Sequence, residues 1–243
     1  MSGSEASLTS HLTSLSTVRP YSAATEHAFL TQAGKGVVSK HALGLYLSQD
    51  RLYAAHGYVK FVGHILAKVP FSSSRPFDSP YEKFLQHVVG VVEYSLRNVI
   101  REFGLDVDGW KERKGTRDYL AEMARISVEG SFEDSLIFLW AMERVYNDAW
   151  KYVGSLITPD QASADPSATQ GAVSFLVSNW TNSEFVEFVS DLESIVNNLD
   201  IQPGTEAWSR AEEIWSRVVE LEEAFWPNVD DEAAEIALLR VTL

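Results

Sequence analysis

The stretch Glu133–Ile157, EDSLIFLWAMERVYNDAWKYVGSLI, decides the fold. Its residues Leu136, Leu139, Trp140, Tyr146 and Trp150 fall at helical spacings, so they share one face of a helix and would scatter on a strand. In the middle of that apolar face stands Glu143. Two other segments repeat the pattern. Asp50 lies on the stripe Leu43, Tyr46, Asp50, Tyr53, Gly57, Phe61, and Glu222 lies on Trp208, Ala211, Trp215, Val218, Glu222, Phe225. A carboxylate buried without a partner is costly or takes up a proton by shifting its pKa. Three of them, flanked by Tyr and Trp, point to one shared polar site inside a helical bundle. Such a site belongs to an enzyme or to a small-molecule binder.

Working outward, nearly the whole chain reads as helix. A first helix follows the small, polar start and breaks near Arg19-Pro20. A second carries Thr25, Glu26, His27, Phe29 and Leu30 and ends at Gly34-Lys35-Gly36. Ser39 is placed to N-cap a long helix over Lys40–Lys68. PFSSSRPFDSP (Pro70–Pro80) and TPDQASADPSATQG (Thr158–Gly171) are loops by composition. Further helices are predicted over Tyr81–Phe103, Thr116–Val128, Ala172–Leu199 and Thr205–Trp226, the last stopped by Pro227. No strand-like alternation is sustained and no fixed-period repeat occurs. Long helices joined by short loops predict an all-α, single-domain bundle over residues 8–227, with a 228–243 tail forming one more short helix on the same body.

Composition narrows the function. A formal charge of -14 argues against nucleic acid, which needs a basic face, and no basic amphipathic helix is present for a membrane surface. Cysteine is absent, which excludes disulfides, thiolate metal sites and a cysteine nucleophile. The start MSGSEASLTSHLTS lacks the apolar core of a signal peptide and no apolar run approaches a membrane span, so a cytoplasmic protein is expected. There is no P-loop, no Gly-rich dinucleotide turn, no GxSxG elbow and no Glu-x-x-His pair for a di-iron bundle. His41, His56 and His64 lack carboxylate neighbours at ligand spacing and read as packing or surface residues, and His27 as a hydrogen-bonded histidine at a helix join rather than a haem ligand. No metal and no cofactor is implied.

Four segments then carry a resemblance: ATEHAFL (Ala24–Leu30), YLSQDRLY (Tyr46–Tyr53), WAMERVY (Trp140–Tyr146) and ELEEAFW (Glu220–Trp226). In this order and at these separations the chain resembles the TenA family from about Leu8 to Trp226. The resemblance implies a haem-oxygenase-like all-α fold and a role in thiamin salvage. The match is closer to the cysteine-less, plant-type branch. Tyr146 matches the tyrosine four residues after the nucleophilic cysteine of thiaminase II, which puts Met142 at the nucleophile's place. A thioether cannot serve as that nucleophile. Trp140-Ala141-Met142-Glu143 and LVSNWTNSEF (Leu176–Phe185), with Trp180, also resemble the cysteine-less branch. Pro227 directly after Phe225-Trp226 departs from the family, which continues its helix there.

Carried over residue by residue, the resemblance makes Glu143 and Glu222 the catalytic pair and Asp50 the anchor for an aminopyrimidine's ring nitrogen and exocyclic amine. Tyr53, Tyr119 and Tyr146 would flank or stack on the ring, with Trp180 and Met142 completing the pocket. The implied activity is aminopyrimidine aminohydrolysis, with deformylation of formylaminopyrimidine compatible with the same carboxylates, giving hydroxymethylpyrimidine. Independently of any name, such hydrolysis needs a protonated leaving amine and an activated water. Two close carboxylates divide those tasks because each raises the other's proton affinity.

The competing reading makes each carboxylate the buried partner of a cation, with Arg51, Arg97, Arg144 and Arg217 as candidates. Trp208, Trp215 and Phe225 read as core, and Glu93 as a possible fourth pocket carboxylate. A non-catalytic pyrimidine-binding or regulatory protein on the same fold is the alternative function. The expected partners are a small pyrimidine and further copies of the chain, as a dimer or tetramer, with neither nucleic acid nor membrane.

Overall fold

The computed structural model describes residues 7–70, 81, 85, 103–105, 107–158, 168–230 and 232–240. The expected Pro70–Pro80 loop and Tyr81–Phe103 helix, with Glu93 and Arg97, fall almost entirely outside these residues. Helices α1 (Leu8–Ser14), α2 (Tyr21–Thr25) and α3 (Ala28–Gly34) open the chain, followed by α4 (Lys40–Leu52), a π turn (Tyr53–Tyr58) and α5 (Val59–Lys68). Then come α6 (Lys114–Glu129), α7 (Phe132–Leu156), α8 (Ala168–Thr181), α9 (Ser183–Asn197), α10 (Glu206–Phe225) and α11 (Glu232–Leu239). The described residues contain no strand, only an isolated antiparallel bridge between Trp110 and Arg240. None of their helices is long and apolar enough to cross a membrane.

Helix α7 is the axis of the bundle, and α2, α3, α8, α9 and α10 pack around it. On the predicted face Leu136, Leu139, Trp140 and Trp150 are fully buried and Tyr146 is partly buried, much as the spacing predicts. The start of α7 is fixed by a reciprocal cap. Ser131 Oγ accepts from the Asp134 amide at 3.1 Å, and the Ser131 amide donates to Asp134 Oδ2 at 3.0 Å. Just upstream, the Lys68 ammonium donates to the carbonyls of Ile126 (3.1 Å) and Gly130 (2.7 Å) and to Ser135 Oγ (3.2 Å), tying the end of α5 to the α6–α7 corner.

Three predicted helices come out divided. The segment through His27 is two helices, because His27 leaves helical backbone and its Nδ1 accepts from the Phe29 amide at 3.1 Å as the N-cap of α3. The Ala172–Leu199 segment is α8 plus α9, since Asn182 caps a new start by accepting from the Phe185 amide at 2.8 Å. Helix α8 also begins at Ala168, inside the stretch expected to be loop. The Lys40–Lys68 helix starts where predicted, with Ser39 Oγ on the Ala42 amide at 2.9 Å, but passes through the π turn midway.

Near α6 the packing is close. A Cβ on Gly115 would collide with the Ala224 carbonyl, so only glycine lets α6 start against the end of α10. The neighbouring Arg113 amide donates to Gln49 Oε1 at 2.8 Å, Thr116 Oγ1 donates to the same oxygen at 2.8 Å, and Gln49 Nε2 reaches the Lys111 carbonyl at 3.1 Å. Gln49 thus holds α4 to the start of α6. The tail helix α11 lies against this corner, with the Lys111 amide donating to the Leu239 carbonyl at 2.8 Å and the Arg240 guanidinium 4.6 Å above the Trp110 ring.

Candidate active site

The three stripe carboxylates converge. Asp50 from α4, Glu143 from α7 and Glu222 from α10 line one cavity with an empty volume of about 450 Å³. The rest of its wall is Tyr53, Tyr58, Tyr119, Met142, Tyr146, Trp180 and Phe225. All eight residues singled out from the sequence, Asp50, Tyr53, Tyr119, Met142, Glu143, Tyr146, Trp180 and Glu222, are therefore brought together.

Each carboxylate meets a tyrosine hydroxyl rather than a cation. Tyr119 donates to Glu222 Oε1 at 2.6 Å, and Tyr58 donates to Glu143 Oε1. Tyr46 donates to Asp50 Oδ2 at 3.5 Å and shares a short hydrogen bond with the Tyr146 hydroxyl. The arginines that might have neutralised them are engaged elsewhere. Arg51 pairs with Asp108 at 3.0 Å, Arg144 with Asp148 at 2.9 Å and Arg217 with Glu220 at 3.4 Å. Among the described residues none of the three carboxylates has an ion pair, and Arg97, the fourth candidate cation, lies outside them.

Burial sets their proton affinity. Loss of solvent pushes Asp50 up to about 7, against the hydrogen bonds of Tyr46 and Tyr146. Glu143 rises to about 7 through burial and the nearby Asp50 charge, with Tyr58 opposing. Glu222 rises to about 8 through burial, with Glu143 and Asp50 adding and Tyr119 opposing. Near neutral pH the cavity therefore holds protonated and ionised carboxyls side by side, the condition for acid and base to coexist in one site. The tyrosines are shifted upward by burial first and by these carboxylates next, which keeps their hydroxyls protonated as donors.

The aromatic wall is ordered by ring contacts. Tyr53 packs against Tyr58 (5.9 Å), Tyr119 (5.2 Å) and Phe225 (5.7 Å), and Tyr146 lies edge to face with Trp180 at 5.2 Å. Met142 Sδ accepts from the Tyr53 hydroxyl at 3.3 Å.

Two wall residues escaped the sequence reading. Tyr58 stands off the stripe, since five residues of α-helix turn it roughly 140° away from Tyr53 at 100° per residue. The π turn, whose bonds join residues five apart, brings Tyr58 under Tyr53 and onto Glu143. Periodicity carries no signal for that inserted residue. Phe225, read as core, does pack in the core but also lines the cavity. Trp208, also read as core, is only half-buried, edging His11 at 4.8 Å and donating to Glu212 at 3.2 Å. His41, His56 and His64 are exposed.

Fold and cavity together define an all-α, single-domain protein with a buried pocket of carboxylates and tyrosines at the bundle's centre. Residues 15–232 match the TENA/THI-4/PQQC family, and the chain belongs to it. A Glycine max protein named "Probable bifunctional TENA-E protein" is 21% identical over 85% of this chain and 86% of its own length. A Fusarium pseudograminearum protein named "Probable transcription factor" is 24% identical over 72% of this chain, which spans only 42% of that relative's length. The crystal structure of a TenA homologue from Pyrococcus furiosus superposes with a TM-score of 0.70 at 21% identity, over 85% of this chain and 92% of the other.

Proposed function

We propose that the protein is a cysteine-independent aminopyrimidine aminohydrolase of thiamin salvage, producing hydroxymethylpyrimidine. The observation that carries the reading is the placement of Glu143 and Glu222 in one aromatic cavity, each held by a single tyrosine hydroxyl and, among the described residues, by no cation, with Met142 on the same wall. Family membership and the TENA-E name of the soybean relative support it.

In this mechanism Asp50 anchors the ring. A protonated carboxyl offers one O–H and one carbonyl oxygen side by side, matching a ring nitrogen and an adjacent exocyclic amine. The tyrosines and Trp180 pack on the faces of the ring. One of Glu143 and Glu222, ionised, takes a proton from water as the water oxygen bonds to the methylene carbon. The carbon–nitrogen bond breaks with its electron pair on nitrogen, and the other glutamate, protonated, supplies the proton with which ammonia leaves. General acid–base help of this kind is worth about 10²–10⁴-fold. We further propose that the protein works in the cytoplasm as a homodimer or tetramer.

The test is a product assay on purified protein with formylaminopyrimidine, aminopyrimidine and thiamin, scoring hydroxymethylpyrimidine, formate and ammonia. Turnover of either aminopyrimidine with thiamin untouched is expected. Tight binding without product would instead favour a pyrimidine-binding protein that has kept the pocket and not the reaction.

A further inference from the structure

Away from the central cavity, the π turn and α5 carry a charge pattern that the proposed reaction does not use. From Lys35 to Lys68 the only acid is Asp50, which lines the cavity, and every other charged or titratable side chain except tyrosine is a Lys, an Arg or a His. In a chain with a formal charge of -14 this is a local reversal of sign. His56, Lys60 and His64 follow one another at intervals of four and so form one row along the helix. With α6 that row lines a groove with an empty volume of about 540 Å³, to which Phe61, Leu120 and Met123 add apolar surface and no acid contributes. The nearby acids of α6 are engaged elsewhere. Glu122 pairs with Arg125 at 2.7 Å and lines a different cleft, and Asp118 pairs with Lys114.

The polar side chains of the groove are few and can be accounted for one by one. Ser127 Oγ donates to the Met123 carbonyl at 2.7 Å within its own helix. His64 Nδ1 donates to the Lys60 carbonyl at 2.7 Å, which leaves Nε2 as the nitrogen that gains a proton beside an anion. The side chains of His56 and Lys60 have no hydrogen-bond or ion-pair partner among the described residues. An ammonium flanked by two imidazoles matches the several terminal oxygens of a phosphate monoester, because each protonated imidazole adds a charged donor. Bare phosphate would leave the apolar surface of Phe61, Leu120 and Met123 uncovered, so the ligand that fits carries a flat apolar body as well.

We infer that the π turn, α5 and α6 form a second ligand site, separate from the central cavity, that binds an organic phosphate. Lys60 and the two histidines hold the phosphate group, and the apolar surface of Phe61, Leu120 and Met123 packs against the organic body. The two sites share walls. Gly57 lies so close to α6 that a Cβ there would strike Leu120 Cδ2. Next to these two residues in sequence stand Tyr58 and Tyr119, whose hydroxyls hold Glu143 and Glu222. Binding must therefore be located as well as detected.

The experiment is calorimetric titration of the full chain with phenyl phosphate, inorganic phosphate and phenol, comparing the parent with K60M and E143Q. Phenyl phosphate should bind the parent one to one and at least about tenfold more tightly than inorganic phosphate, with no saturable binding of phenol. K60M, which removes the charge from an exposed position, should weaken phenyl phosphate on the order of tenfold. H64Q should act in the same direction and serves if K60M does not fold. E143Q should bind as the parent does, and the imidazole proton resonances of His56 and His64 should move as the parent saturates. No saturable binding, equal affinity for inorganic phosphate, or unchanged affinity in K60M overturns the inference. Loss of binding in E143Q also overturns it, by placing the ligand in the central cavity. None of these readouts uses turnover, so the second site stands or falls apart from the aminohydrolase reading.

Discussion

Charge is buried by opposite rules in two parts of this molecule. At the corner of α6, α10 and α11 the Arg113 guanidinium pairs with Glu235 at 2.7 Å and donates to the carbonyls of Ala224 (3.2 Å) and Phe225 (2.6 Å). The second oxygen of Glu235 accepts from the Asn228 amide at 2.7 Å. Every charged group there has a partner, and the cation closes the carboxyl end of α10 where Pro227 forbids further helix. One turn back on the same helix Glu222 has, among the described residues, a single hydroxyl, an unpartnered second oxygen and no cation. A paired buried charge fixes geometry, while an unpaired one has its proton affinity pushed toward neutrality. The first arrangement is a joint and the second, in the proposed reaction, a reagent. The joint also holds the reagent in place, since α10 carries both Glu222 and the carbonyls that Arg113 grips.

The comparison breaks first at the reagent. Glu143→Gln keeps shape and the Tyr58 hydrogen bond but cannot exchange a proton, so turnover of the best substrate should fall by about 10²–10⁴-fold. Steady-state kinetics on the folded variant reads this directly, and wild-type turnover would remove Glu143 from the mechanism. The joint should fail in the other currency, stability. Arg113→Met leaves Glu235 buried without its partner and uncaps α10, a loss of roughly 3–5 kcal/mol, or a Tm lower by on the order of 10 °C. Replacing both partners, Arg113→Met with Glu235→Leu, should recover much of that loss, as apolar substitutes for a whole buried pair often do. A double variant no more stable than Arg113→Met alone would show that the carbonyl cap, not the ion pair, is what matters.

How much of this was legible in the chain follows from the range of the interactions. The stripes that place Asp50, Glu143 and Glu222 inside are local and periodic, and so were readable. Their convergence was carried by the family resemblance and by the bundle topology. Asn182 as a cap was also local, in the run Thr181-Asn182-Ser183-Glu184, and the continuous apolar pattern on both sides hid it. The π turn left no trace in periodicity, and with it went Tyr58. Arg113 lies far in sequence from both Glu235 and Phe225, so nothing near Arg113 announces the joint. That Arg51, Arg144 and Arg217, which sit beside the stripes, turn outward to other acids was beyond sequence too.

The pH dependence of stability sharpens the contrast. For a carboxyl raised from 4.5 to about 8, as Glu222 is, both folded and unfolded states are protonated below pH 4.5 and burial then costs no charge. Between there and about pH 8 the unfolded state ionises while the folded state keeps its proton, so unfolding releases protons and stability falls as pH rises. Glu222→Gln removes that contribution. Relative to the parent, the variant should gain on the order of 2–4 kcal/mol at pH 8 and little at pH 4.5, while losing activity. Denaturant melts at the two pH values check it, and a gain independent of pH would mean that Glu222 is ionised in the folded protein at both.

The smallest effect is expected at Met142. Its thioether lines the cavity and accepts only a weak hydrogen bond from Tyr53, 3.3 Å away. Met142→Leu conserves volume in a fully buried position, and such swaps usually cost under about 1.5 kcal/mol. If hydrolysis runs through carboxylates and water, kcat in the leucine variant should stay within about threefold of the parent, because nothing removed touches a proton in flight. A tenfold loss in kcat with KM unchanged would mean that the Tyr53–Met142 contact sets the position of the Tyr53 hydroxyl in the transition state. The wall of the pocket would then belong to the reagent, and the division between joint and reagent would have to be drawn one residue further out.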